Sequence, residues 1–402
     1  MADIRKRGFH TVEAGMVEAN VEEMEKKIRL HRKKIAVGIA SAVVFVVLSV
    51  AAAGLYFAYK EYRRYEVISE IERNDSEATK YENFSGNILR YNNDGAFYAD
   101  MSDNPIWNQA FEMQNPFADI CGNYAAVADM QGNQIYIMHT SGVQGEIVTN
   151  KPITAVCMAS QGTLAVLTQA DGTSYIELFN KNGENLASGE IHVANSGYPL
   201  DIALSGDANK LALSILDISK GRTKTTIAFY NFGSAGQTEI DNMVGSYSYD
   251  DAIIPEISFV SNDRMIAFGD SQVIFFDGKQ SPKQQNVLTF ETEIRSIFFE
   301  ADFFGLVYDK GDADGSHKMN VYDMDGNLKM EQKFTMDYQN IEFLASHEIC
   351  VRNEYECEIY TLRGVKKFAY KFDDVLYRIF SGGSHNRYTF ILNGVMERVK
   401  LK

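Results

Sequence analysis

Apolar and polar positions follow two different rhythms along this chain. From Ile35 to Tyr59 there is no charged residue: IAVGIASAVVFVVLSVAAAGLYFAY. About 20 apolar residues cross the hydrocarbon of a bilayer, and no polar stripe runs through this stretch as it would on a half-buried globular helix. The stretch predicts a transmembrane helix that meets the lipid bilayer through Ile35–Tyr59. Tyr56, Phe57, Tyr59, Tyr62 and Tyr65 cluster where such a helix would reach the interface. Beyond about Tyr81 the rhythm changes to short alternating runs separated by turn pairs. Asp94-Gly95, Gln131-Gly132, Asp171-Gly172, Asn182-Gly183, Asp277-Gly278, Asp325-Gly326 and Asn393-Gly394 read as tight hairpins, because Gly, Asn and Asp tolerate the positive φ of such turns.

The hairpins recur with a period. One strand type runs into a turn glycine at Gly142, Gly183, Gly233, Gly278, Gly326 and Gly364, with spacings of 41, 50, 45, 48 and 38 residues. A repeat of 40–50 residues holding about four strands predicts an all-β chain folded as a β-propeller. Eight blades are favoured and seven possible; the eighth unit, YRIFSGGSHNRYTFIL followed by VMERVKLK, lacks an outer strand. A ring joins its ends, and segments near 81–90 are expected to pair with the C-terminal blade. The organisation read from the sequence is a basic segment at 1–34, a transmembrane helix at 35–59, a charged, mostly helical stalk at 60–80 and the propeller at 81–402.

Charge gives the anchor a direction. Lys26, Lys27, Arg29, Arg32, Lys33 and Lys34 precede the apolar run, whereas Lys60, Arg63 and Arg64 follow it, diluted by Glu61 and Glu66. The positive-inside rule then places residues 1–34 in the cytoplasm and the large domain outside it, at the cell membrane. A cleaved signal peptide ending near Ala51-Ala52-Ala53 is the competing reading. Val17, Val21, Met24 and Ile28 form a short heptad stripe, and Gly38/Ala42 and Ser49/Ala53 give the small-residue spacing that allows weak self-association of anchor helices. From residue 60 onward 48 acidic groups outnumber 30 basic ones. A surface of that sign argues against nucleic acid as a partner.

Several stretches add a family resemblance. Phe111-Glu112-Met113-Gln114-Asn115-Pro116, Cys121-Gly122-Asn123-Tyr124, the run from Asn195 to Ser205, Ala228 to Gly233 and the closing Val399-Lys400-Leu401-Lys402 look like the uncharacterised DUF5711 family. The resemblance implies membrane-anchored proteins of Gram-positive anaerobic clostridia and brings no established activity or catalytic residue.

Candidate chemistry is sparse. No nucleophile elbow, zinc-binding helix, phosphate loop or dinucleotide fingerprint occurs, so no catalytic, cofactor-binding or metal residue is assigned and no cofactor is expected. His10, His31, His139, His192, His317, His347 and His385 are scattered. Asp312-Ala313-Asp314-Gly315 and Asp323-Met324-Asp325-Gly326 resemble pieces of calcium loops, yet both fall where turns are expected. Asp250-Asp251 and Asp373-Asp374 are possible carboxylate pairs, and the lone Trp107 is expected to pack between blades. Four cysteines are too few for a disulfide scaffold; Cys350 and Cys357 flank a turn and are read as facing each other across it, as buried thiols or a disulfide. The sequence therefore reads as a non-enzymatic interaction or scaffold module whose partners are envelope proteins. A receptor for a small ligand or cell-wall glycan is the alternative, and a hydrolase using channel carboxylates is the least favoured reading.

Overall fold

The structure, a computed structural model, describes residues 14–76, 78–219, 221–308 and 316–402. It divides into two compact units, Met1–Lys60 and Glu61–Lys402. The first is one helix, Ala14–Tyr59. Its stretch Glu23–Tyr56 is long and apolar enough to cross a membrane. Val37, Phe45, Leu48 and Val50 are all more than half exposed, so no protein surface covers them. Of the heptad stripe, Met24 and Ile28 are exposed, whereas the side chains of Val17 and Val21 lie outside the described residues.

The second unit is an eight-bladed β-propeller of four-stranded antiparallel sheets. In chain order the blades cover 80–110, 116–148, 153–192, 198–250, 256–289, 294–334, 340–371 and 376–401. Within each blade the strands follow one another as a meander, and the first strands of successive blades pack side by side around the axis. The hairpin turns sit where the glycine pairs predict them: Ala170 faces Thr173, and Asp171 (φ 50) and Gly172 (φ 73) fill the two left-handed positions between them. Gly95 differs. It lies inside the ladder opposite Asn92, its φ is not positive, and a Cβ there would come within 2.5 Å of the Gln109 carbonyl. Its role is close approach of strands.

Ring closure corrects the sequence reading of residues 60–90. The last blade has only three strands from the C-terminal region, and its outer strand is Tyr65–Glu72, paired with Val395–Leu401 from Tyr65 opposite Leu401 to Glu72 opposite Val395. Residues 60–80 thus form no helical stalk. YEVISEIE alternates with the period of a strand, and its partner lies more than three hundred residues away, where a local reading does not reach. The segment 81–90 belongs to the first blade; it lies against the last one, Tyr81 beside Tyr377, without joining its ladder. The pairing begins at once after the helix: the Tyr62 amide donates to the Lys367 carbonyl at 2.7 Å, and its side chain is buried in the cluster that also holds Phe368 and Phe372.

Each junction between neighbouring blades holds its own apolar cluster. The cluster between the last and first blades is the smallest, with Tyr81, Ile88, Phe380, Ile391 and Met396 as its buried members. Ionic contacts supplement it. The Arg73 side chain, 2% exposed, donates through Nε to Asp75 at 2.6 Å and through Nη1 to Asp103 at 3.3 Å. Asp75 also accepts from the Tyr81 hydroxyl at 2.9 Å, and Arg90 meets Asp103 at 3.2 Å.

Two outcomes follow. A chain starting at Glu61 should unfold in one cooperative thermal transition, whereas a chain starting at Lys80 should lose that transition in circular dichroism, because the outer strand of the last blade is gone. Asp75→Ala strips a buried guanidinium of its nearest carboxylate while leaving Asp103, and should lower stability by about 1–3 kcal/mol in urea unfolding, with full-length chain as the reference.

Candidate functional site

An inner strand in a propeller has one edge with no ladder partner, and its amides need acceptors. This chain supplies them from the preceding blade. Asp119 accepts from the Met158 amide at 2.6 Å, the Cys157 sulfur from the Leu204 amide at 3.2 Å, and Asp201 from the Ile257 amide at 2.8 Å. β-Bulges aim some of these groups. The register breaks just before Asp201, Ser296 and Arg378, and an extra residue at a bulge re-directs the side chain that follows. Ser296 bonds the Tyr338 hydroxyl at 2.6 Å, and Arg378 reaches both ways around the ring, to Glu82 of the first blade at 3.0 Å and Glu342 of the seventh at 2.6 Å.

Turns on one side of the ring are also joined. Ser85 donates to the Asn123 side chain at 2.5 Å, Ser160 to the Gly206 carbonyl at 2.6 Å, and the Asp207 amide to Asn262 at 3.0 Å. His347 pairs with Glu300, and Ser346 lies 3.4 Å from Ser381.

Burial shifts the inner carboxyls. It pushes Asp201 up to about 7, the two amide bonds only partly opposing it. Asp119 is raised by burial too, and so is Glu256. Glu82 is raised by burial although Arg378 opposes the shift. Burial also raises the Cys157 thiol, with Asp119 and Asp201 adding to it, so it stays a neutral acceptor. Asp119, Cys157 and Asp201 act as hydrogen-bond acceptors in the wall and Glu82 as an ion-pair partner.

The residues weighed from the sequence are dispersed. Asp323 accepts from the Asp325 and Asn327 amides and from Lys329; although burial opposes them, these bonds hold its carboxyl below the usual range, and its chemistry is that of a turn. The Asp312–Gly315 fragment lies outside the described residues. Asp250 and Asp251 sit at the end of an outer strand, Asp373 and Asp374 in an exposed turn. Trp107 packs between blades, 5.2 Å from Tyr98, with its indole N–H donating to the Thr140 carbonyl of the next blade at 3.3 Å. Cys350 and Cys357 are buried free thiols, and they do not oppose each other: Cys350 faces Ile359 and Cys357 faces Arg352, because the turn places them two positions apart in register. Among the described residues no three His, Cys, Asp or Glu side chains gather as metal ligands.

A second feature lay beyond sequence reasoning. Between the third and fourth blades a groove of about 740 Å³ opens, floored by Leu178, Leu211, Ile215, Tyr230 and Phe232. One wall is the outer strand Asn185–His192, and the other includes Asp241 (φ 55) and Asn242 (φ 59). The only sequence signal for it is a pair of small residues, Ala187 and Gly189, on that strand.

The raised Asp201 carboxyl carries a sign. An acid whose folded value, about 7, exceeds its ordinary 3.8 stabilises the fold below about pH 4 and loses that contribution as pH rises through 7. Asp201→Asn keeps an acceptor for Ile257 without the charge. It should therefore gain stability relative to the unmodified chain as pH rises from about 4 to about 7, read by urea unfolding across that window.

Comparison with known proteins speaks to fold and family. The structure of Sqt1 from Chaetomium thermophilum is 13% identical, covers 84% of this chain and 99% of its own, and superposes with a TM-score of 0.51. BamB from Moraxella catarrhalis is 15% identical, with coverage of 84% and 100% and a TM-score of 0.49. The first of these agrees with the propeller architecture. No curated protein matches the chain. The model of the family described as "Family of unknown function (DUF5711)" matches residues 58–401, the propeller almost in full, and the chain belongs to that family.

Proposed function

We propose that this protein is a single-pass, membrane-anchored interaction module of the bacterial cell envelope, with its propeller outside the cytoplasm, where it holds protein partners without chemistry of its own. A propeller on an apolar helix fits an interaction module. The observation that carries the reading is how the polar groups are used. Inner carboxylates and arginines bind the next blade, the turns bind one another, and an apolar groove is left open between two blades. Such a ring offers rigid surface for docking, and binding to it costs little reorganisation.

Placement rests on the sequence. Basic residues crowd before the apolar run and thin out after it, which supports a cytoplasmic N-terminus. The uncovered apolar faces of the helix support lipid contact through Ile35–Tyr59. Only Lys60 and Glu61 separate the last helical residue from Tyr62, which is already part of the propeller, so the tether is short.

Two measurements test this reading. Protease added to intact protoplasts should digest the propeller and spare the segment before the apolar run; a fully protected propeller would refute the placement. Photo-crosslinking in the native membrane, with the probe on exposed blade positions, should trap one or a few discrete protein neighbours. A propeller that crosslinks to nothing would refute the interaction module.

A further inference from the structure

We infer that the groove between the third and fourth blades is a docking site for an extended peptide segment of a partner, one carrying a bulky apolar side chain flanked by Lys or Arg. The inference rests on the interaction-module reading and gives it a location and a partner chemistry.

The groove comes from missing volume at a repeated position. In seven blades the third and outer strands pair through one bulge, and the outer-strand residue two places beyond it can be compared from blade to blade. In the third blade it is Gly189, opposite Ile176. Its counterparts are Gln109, Ile147, Tyr247, Leu288, Gln332 and Tyr370. Ile147, Tyr247, Leu288 and Tyr370 pack into the cluster shared with the next blade. Gly189 contributes nothing there, and a Cβ built on it meets no atom within 4 Å. Ala187, on the same face, is also small. A groove is consequently left between Leu178 of the third blade and Leu211, Ile215, Tyr230 and Phe232 of the fourth, with Tyr230 and Phe232 half-buried, and it is large enough for one or two bulky side chains.

The wall that borders this gap is an unguarded strand edge. Outer strands of the fifth, sixth and seventh blades carry lysines that reach solvent: Lys283, then Lys329 and Lys333, then Lys366 and Lys371. Lysine on an edge discourages pairing with another chain. The outer strand NLASGEIH carries none, like those of the first, second, fourth and eighth blades; what sets it apart is that the groove runs along five consecutive residues of it, Ala187 to Ile191. An extended segment laid along that edge can pair with its free backbone groups and place alternate side chains into the gap.

Charge selects the occupant. Glu190 and Asp241 line the groove, and the lining Lys224 stands opposite Asp217 and Asp250 in the ladder. The unmatched charge at the rim is negative, which favours a segment with Lys or Arg beside its apolar anchor.

The test uses the full chain in detergent micelles and a phage-displayed library of random linear peptides. Selected peptides should share a bulky apolar residue next to Lys or Arg. A synthetic copy of the best one should bind at least about tenfold more weakly to Gly189→Trp, which fills the gap, and to Glu190→Lys with Asp241→Lys, which inverts the rim. Both variants should keep the circular dichroism spectrum of the original. The charge variant leaves the floor intact and so stands if the tryptophan impairs folding. No enrichment, an acidic consensus, or undiminished binding to both variants overturns the inference. A dimer in sedimentation that Gly189→Trp dissolves also overturns it, since the occupant would then be a second copy. Discrete neighbours still trapped on Gly189→Trp in the native membrane would leave the interaction module standing and remove the groove from it. Neighbours trapped on neither chain would remove both.

Discussion

Closure of the ring is the constraint on which this structure depends. Seven junctions join blades that are contiguous in sequence, and each is held by a cluster of buried apolar side chains. The eighth joins the two ends of the domain, and there the apolar cluster is smallest. The chain answers in two ways. A strand from before the first blade completes the last one, so backbone hydrogen bonds cross the seam within a single sheet. A buried guanidinium with its carboxylates and a tyrosine hydroxyl adds polar contacts beside it. Such a network costs desolvation, but its geometry is specific to this one junction.

The same logic explains the acidic interior. Eight inner strands each turn an unpaired edge toward the axis, and an amide left bare there costs more than a hydrogen bond contributes. Asp119, Cys157 and Asp201 meet that need from one blade to the next, at the expense of carboxyl groups that resist ionisation. Raised carboxyl pKa values are commonly a sign of catalytic tuning. Here Asp119 and Asp201 hold backbone amides and Glu82 holds Arg378, whereas Glu256 is raised by burial alone.

Where polar groups are spent on holding blades together, the groove that stays open is lined mainly by apolar side chains. The groove beside Gly189 lies where an outer-strand position that is bulky and apolar or aromatic in four other blades carries no side chain. In a close-packed interior such a gap loses contacts without return, which makes it informative on a surface where a partner can restore them.

Local rhythm by itself determined much of this protein. The uncharged run at 35–59 declared a membrane-spanning length, the 40–50-residue spacing of turn glycines declared a propeller, and Asp171-Gly172 or Asp323-Met324-Asp325-Gly326 could be placed in turns because φ preference and side-chain-to-backbone bonding act over a few residues. Tertiary structure decided what depends on distant partners. YEVISEIE became an edge strand because Val395–Leu401 offered it a ladder; Cys350 and Cys357 shifted out of opposition because the turn set their register; Gly95 served close approach because another strand lay against it. Gly189 carries no mark in the sequence that separates it from a turn glycine. Only the assembled ring shows that its missing side chain faces the neighbouring blade, because a void is a property of the surfaces around it and those come together only when the blades do.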